Sequence, residues 1–257
     1  LEKKLAEQGM MVLFAVPWLG KVILGTTDTP RADLDREPKP FKEELDFILR
    51  ESARYLTKAP AHSDIRSIWV GLRPLVKSQA DDGENTKTIS REHTVLVSRS
   101  GLVTVTGGKW TTYRAMAEDV LAKCADHHLI DSRPAGVTEN LRLQGAQGGE
   151  VAQSAMAAPQ GAHSYGWDYA AVLALEGAQN EIAPGLTEAM VRYAARYEYA
   201  IKVEDVLARR CRMLFLDARL AASVAVKVAE ILEEETGISS ECQEFVALAR
   251  QYMEIPV

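Results

Sequence analysis

The first half of the chain contains short apolar runs that end at turn residues. Two such runs, Met11–Val16 and Lys21–Gly25, flank a four-residue connection that holds one proline and one glycine. This pattern predicts two antiparallel strands joined in a hairpin. A second hairpin is predicted over "HTVLVSRSGLVTVTG", with its turn at Ser98–Gly101, because both flanks are rich in Val and Thr. The run "SIWVGLRPLV" predicts a further strand that ends near Pro74.

Apolar positions spaced about 3.6 residues apart predict helices elsewhere in the chain. In the first half these helices cover about 41–57 and 111–124, the second with Met116, Val120 and Leu121 on one side. Beyond residue 167 the chain is rich in Ala, Leu, Glu and Arg, and the same spacing predicts five helices near 168–175, 187–198, 204–214, 217–235 and 240–252.

Three small residues mark the last helix boundaries. Gly237 follows the long predicted helix at the position where a left-handed residue commonly ends one. Ser239 and Ser240 are candidate N-caps for the helix after it.

The order of these elements predicts an α+β fold with two parts. Residues 1–130 read as an antiparallel, β-rich part with helices near 41–57 and 111–124, and residues 150–257 as an all-helical domain. Between them, residues 131–149, "DSRPAGVTENLRLQGAQGG", are rich in Gly, Pro and polar residues and predict a linker.

The charge, the cysteine spacing and the length of the apolar runs argue against several classes of function. The 257 residues carry a formal net charge of −6, which argues against bulk binding to nucleic acid because that requires a basic face. Cys124, Cys211 and Cys242 are widely spaced, with no C-x-x-C pair and no His at metal-ligand spacing, so no metal site is predicted and the thiols fit a reducing compartment. The longest apolar run is too short to span a bilayer.

The stretch "VTVTGGKWTTYR" predicts a strand that turns directly into a helix. Gly107 and Gly108 let a ligand approach the backbone, Lys109 adds a charge, and Thr111 and Thr112 add hydroxyls near a helix N-terminus, which together suit an anion. The competing interpretation is a plain turn with a solvated lysine.

Two nucleotide-binding motifs fail their tests. A P-loop would need Gly at position 103 and Ser or Thr at position 110, where the chain has Val103 and Trp110. No G-x-G-x-x-G occurs in the 257 residues, so a complete dinucleotide-binding unit is not predicted.

Two arginines are further candidates for binding an anion. Arg73 lies in "GLRPL", where a strand is predicted to end, and Arg91 lies in "SREH" before the next strand. Guanidinium groups grip phosphate or carboxylate through two parallel hydrogen bonds. Each arginine has a structural alternative, such as a pair between Arg91 and Glu92, and for His93 beside them a structural role is favoured.

The motifs "VPWLGKVILGTTDTP", "VGLRPLV", "SREH" and "GLVTVTGGKWTTYRAMAEDV" occur in one order, followed by "EDVLARRCRMLFLDARLA". In this order they resemble the C-terminal half of the FAD-dependent, aerobic-type glycerol-3-phosphate dehydrogenases. The resemblance covers roughly Gly9 to Glu235, and it implies a piece of a longer enzyme whose N-terminal part carries the FAD fingerprint.

The resemblance implies a role for each candidate residue. Backbone N–H groups near Lys109 to Thr112, with Gly107 and Gly108, would lie at the flavin's N1–C2=O edge and stabilise negative charge there. Lys109 would lie near flavin and substrate, and Arg73 and Arg91 would bind the glycerol phosphate; Lys109 and Arg73 are therefore the catalytic candidates. The base that removes the substrate hydroxyl proton is expected outside these 257 residues.

The implied activity is oxidation of sn-glycerol 3-phosphate to dihydroxyacetone phosphate, with FAD as the hydride acceptor and a membrane quinone receiving the electrons. The parent is expected to be cytoplasmic and peripheral to the inner membrane, without nucleic-acid partners, and exposed sheet edges make a homodimer one expected state. Two alternatives stay open: another FAD-dependent oxidase acting on a small anionic substrate, and a helical interaction module that works without catalysis. This chain alone is expected to be inactive.

Overall fold

The computed structural model describes residues 13–72, 92–146 and 156–256. These residues form two compact units. The first draws on residues 13–29, 35–70, 143–146 and 156–256, and the second on 30–34, 71–72 and 92–142. The architecture is α+β, as predicted, with short antiparallel strand pairs and a helical C-terminal region. The predicted boundaries at 130 and 150 stay a prediction.

The first hairpin consists of β1 (Phe14–Trp18) and β2 (Lys21–Gly25), with Phe14 opposite Gly25. The predicted four-residue connection is wrong: β1 continues through the proline, and only Leu19 and Gly20 form the turn. Both turn residues have positive φ, +46° and +80°, which matches the twist of a two-residue hairpin. Proline is tolerated in β1 because, among the described residues, this sheet consists of two strands, and each of them is an edge.

Helix α1 (Lys42–Ser52) is shorter at both ends than the predicted 41–57. At its start the Glu44 carboxylate accepts a hydrogen bond from the Phe41 backbone N–H at 3.4 Å, which satisfies one of the free donors of the first turn. Beyond Ser52 the backbone turns, and a 3₁₀ turn follows at His62–Asp64.

The strand predicted from "SIWVGLRPLV" is absent from residues 67–72, and its remainder lies outside the described residues. The hydrogen bonds of this segment go to helix ends instead of a neighbouring strand. The Ile68 N–H donates to the Tyr252 carbonyl at 2.8 Å, and the Ser67 hydroxyl donates to the Leu214 carbonyl at 2.7 Å. The Arg66 carbonyl accepts from the Ala218 N–H at 3.2 Å.

Residues 156–256 contain five α-helices and one small hairpin. The helices are α3 (Tyr169–Leu173), α4 (Glu188–Tyr197), α5 (Met213–Leu216), α6 (Ala218–Thr236) and α7 (Cys242–Met253), and the hairpin, which the sequence patterns did not predict, pairs β5 (Glu181–Ala183) with β6 (Leu186–Thr187). A 3₁₀ segment, Ala162–Asp168, precedes α3.

The helix predicted over 204–214 is broken in the structure. Residues Asp205–Arg210 form a π-helix, and Arg212 has a left-handed conformation with φ +55° before α5 begins. A left-handed residue cannot continue a right-handed helix. The apolar residues that predicted one helix therefore lie on two short helices.

The core of the first unit lies around α6, which packs against α4, α5 and α7. The fully buried side chains come from these helices and from the π-helix, and they include Val191, Leu207, Leu214, Ile231 and Phe245. Such interlocked apolar side chains supply most of the folding free energy of a helical region.

The caps of α6 and α7 only partly follow the predictions. Gly237 ends α6 with φ +69°, as predicted. Neither Ser239 nor Ser240 caps α7, because Glu241 occupies the N-cap position with φ +52°. Ser240 is buried, and its hydroxyl donates to the Glu233 carboxylate at 2.8 Å instead.

The N-cap of α6 gives a stability prediction. The Asp217 carboxylate accepts a hydrogen bond from the Leu220 N–H at 3.0 Å. We expect Asp217→Ala to lower the free energy of unfolding by about 1 kcal/mol, because that N–H loses its acceptor at the helix start. Urea denaturation followed by circular dichroism measures this change. Asp217→Asn keeps an acceptor and should stay near the wild type; an equal loss in both variants would contradict the cap.

The second unit contains the hairpin of β3 (His93–Val97) and β4 (Val103–Gly107), followed by helix α2 (Tyr113–Asp126). The predicted hairpin and its turn position are confirmed by the register, in which Val97 lies opposite Val103. No described residue of α2 is fully buried.

The apolar stripe of α2 differs from the prediction in one residue. Met116, Val120 and Cys124, spaced by four, are partly buried, as is Ala125 beside them, whereas Leu121 is 55% exposed. A step from residue 120 to 121 turns by about 100° around a helix, which takes Leu121 off the stripe.

None of the helices in the described parts of the chain is long and apolar enough to cross a membrane.

Candidate functional site

The candidate anion site is the connection between β4 and α2. Gly107 ends β4 with φ +76°, and Gly108 follows with φ +83°. Lys109 returns to an extended conformation, and a 3₁₀ turn, Trp110–Thr112, leads into α2. The strand, the glycine turn and the helix start therefore occur where the sequence predicted them.

Glycine suits position 108 because its φ is +83°, and the end of the Met116 side chain lies beside it. A Cβ atom at this position would lie 2.6 Å from the Met116 Cε and Sδ atoms and 3.1 Å from the His93 Cβ atom. Its positive φ adds strain for any other residue. Met116 of α2 therefore lies against this glycine at the β3–β4 hairpin, a contact that the sequence alone did not supply.

At the helix start, the backbone N–H groups of Trp110 and Thr111 have no hydrogen-bond acceptor within the described ranges. The Lys109 carbonyl accepts from the Thr112 N–H and from the Thr112 hydroxyl, each at 3.0 Å, and the Tyr113 N–H donates to the Trp110 carbonyl. The N–H groups of Trp110 and Thr111 donate to no residue within the described ranges. Of the predicted N–H and hydroxyl donors, Thr112 is thus already engaged, and the two N–H groups before it are available.

The side chains around this turn are open to solvent. Lys109 is exposed, and no carboxylate within the described ranges lies within 4.0 Å of its ammonium nitrogen. Trp110 and Tyr113 are 86% and 57% exposed and stack with ring centroids 5.4 Å apart. An exposed cation, two unused N–H groups and an aromatic pair offer a surface suited to a planar or anionic group.

A contact that sequence reasoning missed ties this turn to the helix. The His93 Nε2 atom lies 2.7 Å from the Asp119 Oδ2 atom, and His93 is paired with Gly107 across the hairpin. The structural role favoured for His93 fits this geometry. The partners are 26 residues apart, so neither spacing nor motif could have indicated the pair.

The other two candidates cannot be placed. Arg73 and Arg91 lie outside the described residues, so their predicted roles stay predictions. Within the described ranges, no group of three or more His, Cys, Asp or Glu side chains is arranged to hold a metal ion.

Two family models match the chain, and together they cover most of it. Residues 6–114 match the FAD dependent oxidoreductase family, and residues 136–243 match the C-terminal domain of alpha-glycerophosphate oxidase. The Gly107–Thr112 turn lies inside the first match, and the α4–α6 core lies inside the second. Over these two ranges the chain is similar to FAD-dependent oxidoreductases that carry this C-terminal domain.

Curated relatives point to one branch of that class, the glycerol-3-phosphate dehydrogenases. The chain is 37% identical over 253 residues to the mitochondrial glycerol-3-phosphate dehydrogenase of Arabidopsis thaliana, covering 87% of this chain and 40% of that protein. It is 33% identical over 268 residues to the mitochondrial enzymes of Bos taurus and Homo sapiens, covering 94% of this chain and 36% of each. The chain therefore spans less than half the length of the relatives that it matches.

Proposed function

We propose that this chain is the C-terminal portion of an FAD-dependent enzyme that oxidises sn-glycerol 3-phosphate to dihydroxyacetone phosphate. The observation that carries the proposal is the match to glycerol-3-phosphate dehydrogenases over most of the chain, including the Gly107–Thr112 turn. The geometry of that turn supports it, because an exposed lysine and two unused N–H groups suit negative charge.

Each group at the turn has a proposed task. The N–H groups of Trp110 and Thr111 would donate to the pyrimidine edge of the flavin, and Lys109 would hold negative charge between flavin and substrate. Gly107 and Gly108 set the backbone path that presents these donors. FAD, when bound, supplies the hydride acceptor.

The substrate phosphate needs cations beyond Lys109. We assign this task to Arg73 and Arg91, whose guanidinium groups would hold the phosphate oxygens in paired hydrogen bonds. Transfer of electrons to quinone, peripheral contact with a membrane and a homodimer belong to the same proposal for the whole enzyme.

Anaerobic reduction of the flavin tests the proposed substrate. The full-length holoenzyme should lose its oxidised-flavin absorbance on addition of sn-glycerol 3-phosphate and should form an equivalent of dihydroxyacetone phosphate. Arg73→Ala should raise the substrate concentration needed for half-maximal reduction by about tenfold or more, since a charge-assisted phosphate contact is lost. Reduction by a small amino acid and not by glycerol 3-phosphate would favour the oxidase alternative instead.

A further prediction concerns FAD and this chain alone. The 257 residues contain no G-x-G-x-x-G, the motif whose backbone holds the pyrophosphate of FAD. We therefore expect the purified 257-residue chain to bind FAD weakly, and to show no glycerol-3-phosphate oxidation when FAD is added. Fluorescence titration of FAD measures the binding, with the full-length protein as the control. Tight, stoichiometric binding by the short chain would contradict the assignment of the pyrophosphate site.

A further inference from the structure

A cavity of about 260 Å³ lies within the helical region, remote in sequence from the Gly107–Thr112 turn. Its walls come from the 3₁₀ segment at Ala162–Asp168, from α4 and from the π-helix Asp205–Arg210. All of these elements belong to the first unit. None of the roles proposed above uses it.

The π-helix gives this cavity a wall of arginines. Single π-helical turns inside α-helices are frequently found at functional sites. Arg209 is already paired with Glu204 at 2.7 Å and with Asp205 at 3.1 Å, and the Arg210 Nε atom donates to the Glu198 carboxylate at 2.9 Å.

Arg212 differs from its two neighbours. Its Nη1 atom donates to the Arg210 carbonyl at 2.7 Å, and no carboxylate in the described parts of the chain lies within 4.0 Å of its guanidinium. Arg212 has a left-handed backbone, with φ +55°, and lines the cavity two residues after the π-helix ends. The cavity therefore has a cation with unused hydrogen-bond donors.

Gln160 brings an acceptor beside that cation. Its Nε2 atom donates to the same Arg210 carbonyl at 3.1 Å, so the amide and the Arg212 guanidinium lie side by side. The other amide atom, Oε1, is buried and accepts no hydrogen bond within the described ranges. A buried acceptor without a donor is unfavourable, and a ligand hydroxyl that reached it would remove that penalty.

The facing wall offers further acceptors and a neutral hydroxyl. The Asp168 Oδ2 atom accepts from the Tyr193 hydroxyl at 3.1 Å and from the Gln144 amide at 2.5 Å. The Tyr165 hydroxyl has no hydrogen-bond partner among the described residues, and burial raises the pKa of this phenol, so it keeps its proton at neutral pH. This wall therefore suits a ligand that carries hydroxyl groups.

We propose that this cavity binds a small hydroxylated anion, with its charged group on Arg212 and its hydroxyls toward Gln160, Asp168 and Tyr165. Both a hydroxy acid and a polyol phosphate have this chemistry. A ligand amine would be repelled by the Arg212 guanidinium. A plain hydrocarbon would leave the polar groups of the cavity wall without hydrogen-bond partners.

Calorimetric titration of the 257-residue chain tests the proposal. The probes are D-glycerate and glycerol 2-phosphate, with inorganic phosphate and glycerol as controls that carry only the charge or only the hydroxyls. We expect saturable binding of at least one hydroxylated anion and binding at least about tenfold weaker for each control. The probe that binds decides between the carboxylate and the phosphate form.

Substitutions of single residues test whether the probe binds in this cavity. Arg212→Gln should weaken it about tenfold or more, and Tyr165→Phe, which removes only the hydroxyl, should weaken it about three- to tenfold. Arg219→Gln, at an exposed arginine outside the cavity, should leave it unchanged. Wild-type-like circular dichroism spectra establish that the variants are folded. Absence of binding, equal binding of inorganic phosphate, or full binding by Arg212→Gln would overturn the proposal.

Discussion

Replacing Lys109 by alanine in the full-length enzyme is expected to lower kcat for glycerol 3-phosphate about 10²–10³-fold, the range found when one positioned donor to a developing charge is removed. The reason is that Lys109 is the exposed cation of the β4–α2 turn, with no described carboxylate to compensate its charge. The loss should appear in kcat and in kcat/KM together, because the charge matters most in the transition state. Steady-state kinetics with a soluble electron acceptor measure both constants.

Two further variants make this result interpretable. Lys109→Arg keeps the charge and should recover part of the activity. Lys123→Ala removes a lysine from the last turn of α2, away from the candidate site, and should keep kcat near the wild-type value. A rise in KM with unchanged kcat for Lys109→Ala would assign this residue to substrate binding alone.

Replacing Glu235 by glutamine is expected to lower the free energy of unfolding by about 3 kcal/mol, since it removes the buried carboxylate and leaves the buried Arg192 paired with the largely exposed Glu234. The Glu235 and Arg192 side chains are 8% and 6% exposed, and the carboxylate accepts from Arg192 at 2.6 Å and from Arg196 at 2.5 Å. These contacts join α6 to α4. Urea denaturation at neutral pH measures the loss.

The same structure offers a matched control. Glu234 lies 2.9 Å from the Arg192 guanidinium, but its side chain is 62% exposed. Glu234→Gln should therefore cost less than about 1 kcal/mol, the range of exposed ion pairs. Equal losses in the two variants would show that burial of the pair contributes nothing.

The pH dependence of stability follows from Glu235 as well. The Arg196 guanidinium, and then that of Arg192, hold the pKa of this carboxyl below its usual range, against an opposing effect of burial. A carboxyl whose pKa is lowered by folding stabilises the folded state above the unfolded pKa of about 4.3, and this contribution is lost as the pH falls. The wild type should therefore lose more stability than Glu235→Gln between neutral and acid pH. Denaturation midpoints at a series of pH values measure this difference.

Local sequence patterns predicted the structure correctly where interactions between neighbouring residues determine it. The second hairpin was predictable because its turn and its β-branched flanks agree, and Gly237 because a helix end there needs a left-handed residue. The strand at residues 67–72 was predicted wrongly because its hydrogen bonds go to partners such as Tyr252, far along the chain. The break at Arg212 was missed for a related reason. The helical spacing of apolar residues continues across Arg212, whereas its left-handed backbone interrupts the helix.

In the candidate site, too, some features were predictable from the sequence and others depend on tertiary packing. Its glycines, lysine and helix start were predictable from one stretch of sequence. The packing of Met116 against Gly108 and the bond between His93 and Asp119 were not, because both depend on how α2 lies on the hairpin. A motif thus identified the groups presented by the turn, while the contacts that hold the turn needed the structure.

The hydrogen bonds between residues 66–68 and the ends of the C-terminal helices have a consequence for how this protein can be divided. A cut in the stretch that precedes the helical region would sever the chain without separating its pieces, because the N-terminal piece still carries Arg66, Ser67 and Ile68 to their partners. A nicked protein would behave as a two-chain complex. A helical domain expressed alone would expose the Tyr252 carbonyl and the face of Phe215 that Trp69 covers.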